Sequence, residues 1–147
     1  MTRDRQDLGR EGEIRASRYL EARGYRIVAR NVRAARVELD VIARRGATLA
    51  FIEVKTRRAT GLEGYGSHTR AAEAVDARKQ ARLRRGALAW LDEHPVERRR
   101  AGRIRFDVIT CLVDRATRTR TASHGPQNDD TAPDGARWSI EHWEAAF

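Results

Sequence analysis

The sequence predicts a single α/β domain, a mixed central sheet flanked by helices, with its elements in the order αβββαβ. Three observations lead there. A length of 147 residues suits one ordinary domain and is too short for two. Two stretches with helical apolar spacing are separated by three short strand-like runs. A fourth strand-like run follows the second helical stretch, and a strand entered through a helix can lie parallel to one of the first three.

Residues 8–23 read as a helix with Leu8, Ala16, Tyr19 and Leu20 turned inward and Gly24 as its stop; residues 1–7 before it read as a flexible arm. Glu13 shares a helix side with positions 16, 17 and 20, so it lies beside the inward stripe rather than opposite it. Strands are expected at Tyr25–Asn31, Val37–Ala43 and Thr48–Thr56, the last two joined by a short turn at Arg45-Gly46, as an antiparallel meander. Ser67 to Asp92 forms a second helical stretch, best defined from Asp76, with Leu83, Ala87, Trp90 and Leu91 at core spacing and Pro95 beyond its end. Lys79, four positions before Leu83, falls on the sheet-facing side. In the strand Arg103–Val113, Ile104, Phe106, Val108, Thr110 and Leu112 alternate with more polar positions. Residues 114–136 have no periodicity and read as a flexible loop, as does the Gly61–Gly66 segment; Trp138, Ile140, Trp143 and Phe147 then bring the chain back onto the domain.

The net charge of +9 is uneven. Residues 1–113 hold 26 basic against 15 acidic side chains, and residues 114–147 hold 4 against 6. A basic field on the folded part attracts polyanions through counterion release, which makes nucleic acid the expected partner. No apolar run approaches a membrane span and the charged N-terminus lacks the apolar centre of a secretory signal, so cytoplasm and no membrane partner are expected. Cys111 sits in an apolar run and reads as a small buried hydrophobe.

Several common chemistries are missing. Four scattered histidines and one cysteine give no zinc spacing, and there is neither a G-x-S-x-G elbow nor a Walker A sequence. What remains is the hairpin Glu38-Leu39-Asp40-Val41-Ile42 with Phe51-Ile52-Glu53-Val54-Lys55. Alternation puts Glu38 and Asp40 on one face of the first strand, and Glu53 and Lys55 on one face of the second. A tight turn at Arg45-Gly46 makes facing residue numbers sum to an odd value, so Asp40 and Glu53 share a face. Two anions about 4 Å apart repel by roughly 4 kcal/mol at an effective dielectric near 20, and something cationic between them removes that cost. Carboxylate oxygens on rigid strands suit Mg2+ (or Mn2+), and Lys55 can hold a phosphate or orient a water. An isolated E-x-K triplet whose acids pair with arginines would be commonplace; here the two lysines of the chain, Lys55 and Lys79, both fall where such a site needs a slim cation.

These residues resemble the YraN-type bacterial proteins, a family of predicted endonucleases distantly similar to archaeal Holliday-junction resolvases within the PD-(D/E)XK nuclease fold. The resemblance is carried by Gly9-Arg10-Glu11-Gly12-Glu13, Gly24-Tyr25, Arg30-Asn31-Val32-Arg33, Glu38 to Ala43, Phe51 to Arg57, Ala74-Val75-Asp76 with Lys79-Gln80, Arg105-Phe106-Asp107-Val108 and the closing Ala146-Phe147. Val37 stands where the family usually has Gly, and the segment between Arg58 and Ala71 is longer than usual. The resemblance implies a restriction-endonuclease-like core with Asp40 and Glu53 as metal ligands, Lys55 as catalytic lysine and Glu13 as a further acid reaching the site. It also implies nucleic-acid contacts from Arg57, Lys79 and Gln80. The activity implied is a Mg2+-dependent endonuclease acting on DNA, branched or otherwise structured DNA included. The alternative is a non-catalytic nucleic-acid-binding module that keeps the fold, and a homodimer is left open in either case.

Overall fold

The computed structural model describes residues 3–59, 64–115, 130–131 and 135–147. The first helix, α1, spans Arg3–Ala22, so residues 3–7 form its opening turns and not the expected arm. Asp4 in the first turn complements the helix dipole and pairs with Arg58 at 2.9 Å, which fixes that end. The chain leaves α1 through Gly24 at φ +84°, while the Tyr25 N–H returns to the Leu20 carbonyl at 3.0 Å.

Strands β1 (Arg26–Ala34), β2 (Val37–Arg45) and β3 (Thr48–Arg58) form the antiparallel meander. Helices α2 (Gly64–Glu73), α3 (Ala77–Glu93) and α4 (Pro95–Arg100) lead into β4 (Arg103–Arg115), which lies parallel to β3 from Thr48↔Arg103 to Arg58↔Val113. The two-residue β5 (Asp130–Thr131) precedes β6 (Ala136–Trp143), which pairs antiparallel with β4. The resulting six-stranded mixed sheet has the order β1-β2-β3-β4-β6-β5, so the core is αβββαβ with the returning segment added as an edge. Of the segment expected as a loop at 114–136, Asp114 and Arg115 complete β4, Asp130 and Thr131 form β5 and Ala136 opens β6; residues 116–129 and 132–134 lie outside the described residues. Likewise Gly64 to Gly66, expected in a loop, belong to α2, and residues 61–63 lie outside. None of the described helices is long and apolar enough to cross a membrane.

Both faces of the sheet are covered. Ala16 and Leu20 of α1 pack with Val41, Ala43, Ala50, Ile52, Ile109 and Cys111. On the other face Leu83, Ala87, Trp90 and Leu91 of α3 pack with Val37, Leu39, Leu49, Phe51 and Val108. A strand covered on both sides needs no polar face. The alternation expected for Arg103–Val113 therefore misjudges its polar positions: Arg105 and Asp107 are 7% and 0% exposed, whereas Ile104 is 38% exposed. Cys111 is buried as expected, and burial pushes its thiol up to about 12.

Gly12 sets how closely α1 lies on β3. A Cβ there would sit 1.9 Å from Thr56 Oγ1, which is itself buried without a hydrogen-bond partner. Substituting Gly12→Ala must therefore displace either the Thr56 side chain or α1 from the strand that carries Glu53 and Lys55. The expected cost is about 1–3 kcal/mol of stability, the usual range for overpacking. Thermal melts check this, and adding Thr56→Ala, which removes the clashing oxygen, should recover most of the loss.

Candidate functional site

The pairing of β2 with β3 runs from Arg45↔Thr48 to Val41↔Ile52 and stops there. Beyond that point β2 pairs with β1 and β3 with β4, so the two strands fork at Asp40 and Glu53. In place of a backbone carbonyl, Asp40 Oδ2 accepts the Val54 N–H at 2.9 Å. The fork leaves the two carboxyl groups in hydrogen-bonding contact, the convergence that register arithmetic predicts. Strict alternation does not reach it. Leu39 packs on the α3 side and Val41 on the α1 side, so the facing pattern slips at Asp40, and Glu38 is not placed with it by alternation.

Burial first, and then the charge of Glu53, hold the Asp40 carboxyl well above the ordinary carboxylate range, although the Val54 N–H pulls the other way. Glu53 is 6% exposed. Lys55 Nζ and Lys79 Nζ approach the same oxygen, Glu53 Oε1, at 3.4 Å and 3.3 Å. Lys55 arrives two residues along β3, and Lys79 from the first turn of α3. That turn is fixed because the Asp76 side chain caps it, accepting the Lys79 N–H at 2.9 Å.

Glu13 reaches this region from α1, on the turn that Gly12 holds against β3. Burial raises its pKa, opposed by a hydrogen bond to the Asn31 side chain, and Glu38 and Glu53 raise it further. Asn31 adopts φ +51° inside β1, between the pairs Arg30↔Val41 and Val32↔Leu39, which places it opposite Asp40. Left-handed backbone in a strand is a strained arrangement that Asn tolerates better than most residues.

The comparisons with known proteins rest on this same stretch of chain. Residues 12–111 match the profile described as uncharacterised protein family UPF0102. The chain belongs to that family. This is the YraN family to which the sequence motifs point. A UPF0102 protein of Rhodococcus opacus is 42% identical over 140 residues, 95% of each chain. One from Frankia alni is 51% identical over 108 residues, 74% of this chain and 81% of its own, and one from Parafrankia sp. is 48% identical over 110, 75% and 86%. The matched segment holds Glu13, Asp40, Glu53, Lys55, Lys79 and Gln80.

The other two residues singled out in the sequence, Gln80 and Arg57, bond elsewhere among the described residues. Gln80 donates its amide to the Val75 carbonyl at 3.0 Å, bracing the α2–α3 connection and leaving its own oxygen as acceptor. Arg57 is exposed on β3 and lines an open cleft with Lys55, Glu13 and Asn31. Sequence reasoning assigned no role to Asn31 or to Asp76. The signal for Asp76 was available, as an acid three residues before the first inward lysine; that for Asn31 was not, because nothing local announces a positive φ within a strand.

Among the described residues no three His, Cys, Asp or Glu side chains converge as a closed ligand set. The donors at the fork are two carboxyls, which fits a hard cation that keeps several waters and takes further oxygens from a phosphate, as magnesium commonly does. A cation between the two groups would favour their charged forms and so offset the effect of burial on Asp40.

Proposed function

We propose that this UPF0102 protein is a metal-dependent endonuclease acting on DNA, with branched and otherwise structured DNA among its substrates. The observation that carries the reading is the fork at which Asp40 and Glu53 meet, with Lys55 two residues along the same strand as Glu53. A protein that only binds phosphate gains nothing from buried acids at its binding surface, since they repel the ligand. When bound there, magnesium or manganese would supply charge neutralisation and an acidified water. Asp40 and Glu53 would hold it. Lys55, released from Glu53, donates to a phosphate oxygen and fixes the phosphodiester against the carboxylates. Lys79 does the same from the other side, and Glu13 bounds the site toward α1.

The test is cleavage of single-stranded, duplex, flap and four-way-junction DNA with magnesium or manganese. Cutting of any member that stops in EDTA supports the reading; binding without cutting under every condition favours the non-catalytic module. Binding itself should be steeply salt-dependent. If it engages three or more phosphates, the log–log slope against potassium chloride should be about −2 or steeper. A flat dependence measured by fluorescence anisotropy counts against nucleic acid as the partner.

A further inference from the structure

Between the opening turns of α1 and the outer end of β3 lies an open cleft of about 1200 Å³. Asp4, Arg5 and Gln6 form part of it. Arg5 and Arg10 face it from α1, both exposed, and no ion pair among the described residues engages them. Lys55, Arg57 and Arg58 face it from β3, of which Arg58 is neutralised by Asp4 and Lys55 by Glu53. Glu13 and Glu38 also line it, and the charges of Glu38 and Glu53 both act on Glu13. Among the described residues no lining side chain is aromatic.

Two rows of cations therefore border one cleft that opens beside the carboxylate fork. Arg5 and Arg10 are spaced roughly 7.5 Å along a helix that rises about 1.5 Å per residue. Lys55 and Arg57, on one face of a strand, are about 6.6 Å apart. Guanidinium groups without acidic partners, set at such intervals, suit a chain of phosphates. The described lining thus offers no aromatic platform, the usual means of holding unpaired bases.

Resting on the nuclease reading above, we propose that this cleft seats the sugar–phosphate backbone of one nucleic-acid strand, gripped by Arg5 and Arg10 from α1 and by Arg57 from β3, and leads it to Lys55 without stacking its bases. The backbone is the recognised chemistry, and the opening turns of α1 are half of the binding surface.

The experiment measures affinity by fluorescence anisotropy in EDTA, with an oligothymidylate of about 12 nucleotides and an abasic oligonucleotide of equal length. Wild type is compared with Arg5→Gln/Arg10→Gln, with Arg57→Gln and with Arg99→Gln/Arg100→Gln. The last pair is exposed on α4, at the opposite end of β3, where the Gly102 and Arg103 N–H groups bond to the Ala47 carbonyl at 2.8 Å and 3.1 Å. All variants change exposed side chains and should melt within a few degrees of wild type. The α1 pair should lower affinity at least tenfold and flatten the salt slope by about 1.4, roughly 0.7 per lost contact to a single strand. Arg57→Gln should flatten it by about half as much. The α4 pair should change affinity less than about twofold, and the abasic strand should bind within about threefold of the thymidylate. Equal losses from the α1 and α4 pairs would show a diffuse field and overturn the cleft. A large loss on the abasic strand would overturn backbone recognition. If wild type binds neither strand even at low salt, the nucleic-acid reading itself fails and the cleft proposal falls with it.

Discussion

Asp40→Asn is expected to lower cleavage about a thousandfold or more while leaving DNA affinity intact. The substitution removes one of two carboxylates at the fork and so a ligand charge worth several kcal/mol at the transition state. It does not remove the local hydrogen bonds. The Asn oxygen can accept the Val54 N–H in place of Asp40 Oδ2, and its amide can donate to Glu53. In metal-free buffer the variant should be no less stable than wild type, and more stable by a few degrees. Asp40 has a folded pKa raised by burial and by Glu53, so at neutral pH the native state bears the cost of a carboxyl that would ionise freely once unfolded. Asn has no such cost, and gain of stability with loss of activity is common at functional sites. Glu53→Gln should lose cleavage in the same way but not gain stability, since it strips the shared partner from Lys55 and Lys79. Cleavage rates, anisotropy and melts on one set of proteins check all three. An Asp40→Asn variant that still cuts at the wild-type rate would remove this carboxylate from the proposal.

Asp107→Ala should be strongly destabilising, by about 3–5 kcal/mol. Asp107 is 0% exposed and takes two hydrogen bonds from Arg105 at 2.8 Å, one from His142 Nε2 at 2.7 Å and one from the Ala145 N–H at 2.9 Å. Arg105, 7% exposed, continues to the Tyr25 hydroxyl at 2.6 Å and to Glu144 at 3.3 Å. Removing the carboxylate leaves a buried guanidinium and a buried imidazole without their acceptor, and frees the segment that carries Phe147 onto Phe106. For a domain of this size the loss corresponds to a melting temperature lower by about 10 °C. The same group gives a pH signature. Burial would raise Asp107, but the hydrogen bonds from His142, Arg105 and Ala145 outweigh it and hold its pKa below the ordinary value of 3.8. A depressed carboxylate stabilises the fold above its unfolded pKa and loses that contribution as pH falls through the folded one. Wild-type stability should therefore drop below about pH 4, and Asp107→Ala should show a shallower drop. Equal acid slopes in the two proteins would show that the network is not what titrates.

Much of the fold was legible in the sequence because it depends on local periodicity. The positions Leu83, Ala87, Trp90 and Leu91 are buried as their spacing predicts, Gly24 ends α1, and β4 lies parallel to β3 as its entry through helices implies. The meeting of Asp40 with Glu53 was legible too, since a tight turn fixes the register of a hairpin by arithmetic. Family membership followed from the motifs, and the profile match bears it out.

What the sequence could not decide were the contacts between residues far apart in the chain. Arg105 and Asp107 look like the solvent side of an alternating strand, and only the covering of both sheet faces, with Tyr25, His142 and Glu144 brought to one place, turns them into a buried ion pair. Lys55 and Lys79 were each legible as inward cations; that both approach Glu53 Oε1 depends on where α3 docks. Alternation failed at Asp40 because the strands fork there, and Asn31 gave no local sign of its left-handed backbone. Residues 3–7 carry too little apolar character to announce a helix by period, yet they extend α1, and Asp4, Arg5 and Gln6 among them line the cleft beside β3. Periodicity and turn length are short-range properties, written in the order of residues. Burial of a charge and the shape of a cleft depend on how helices pack across a sheet, and only the tertiary structure fixes those.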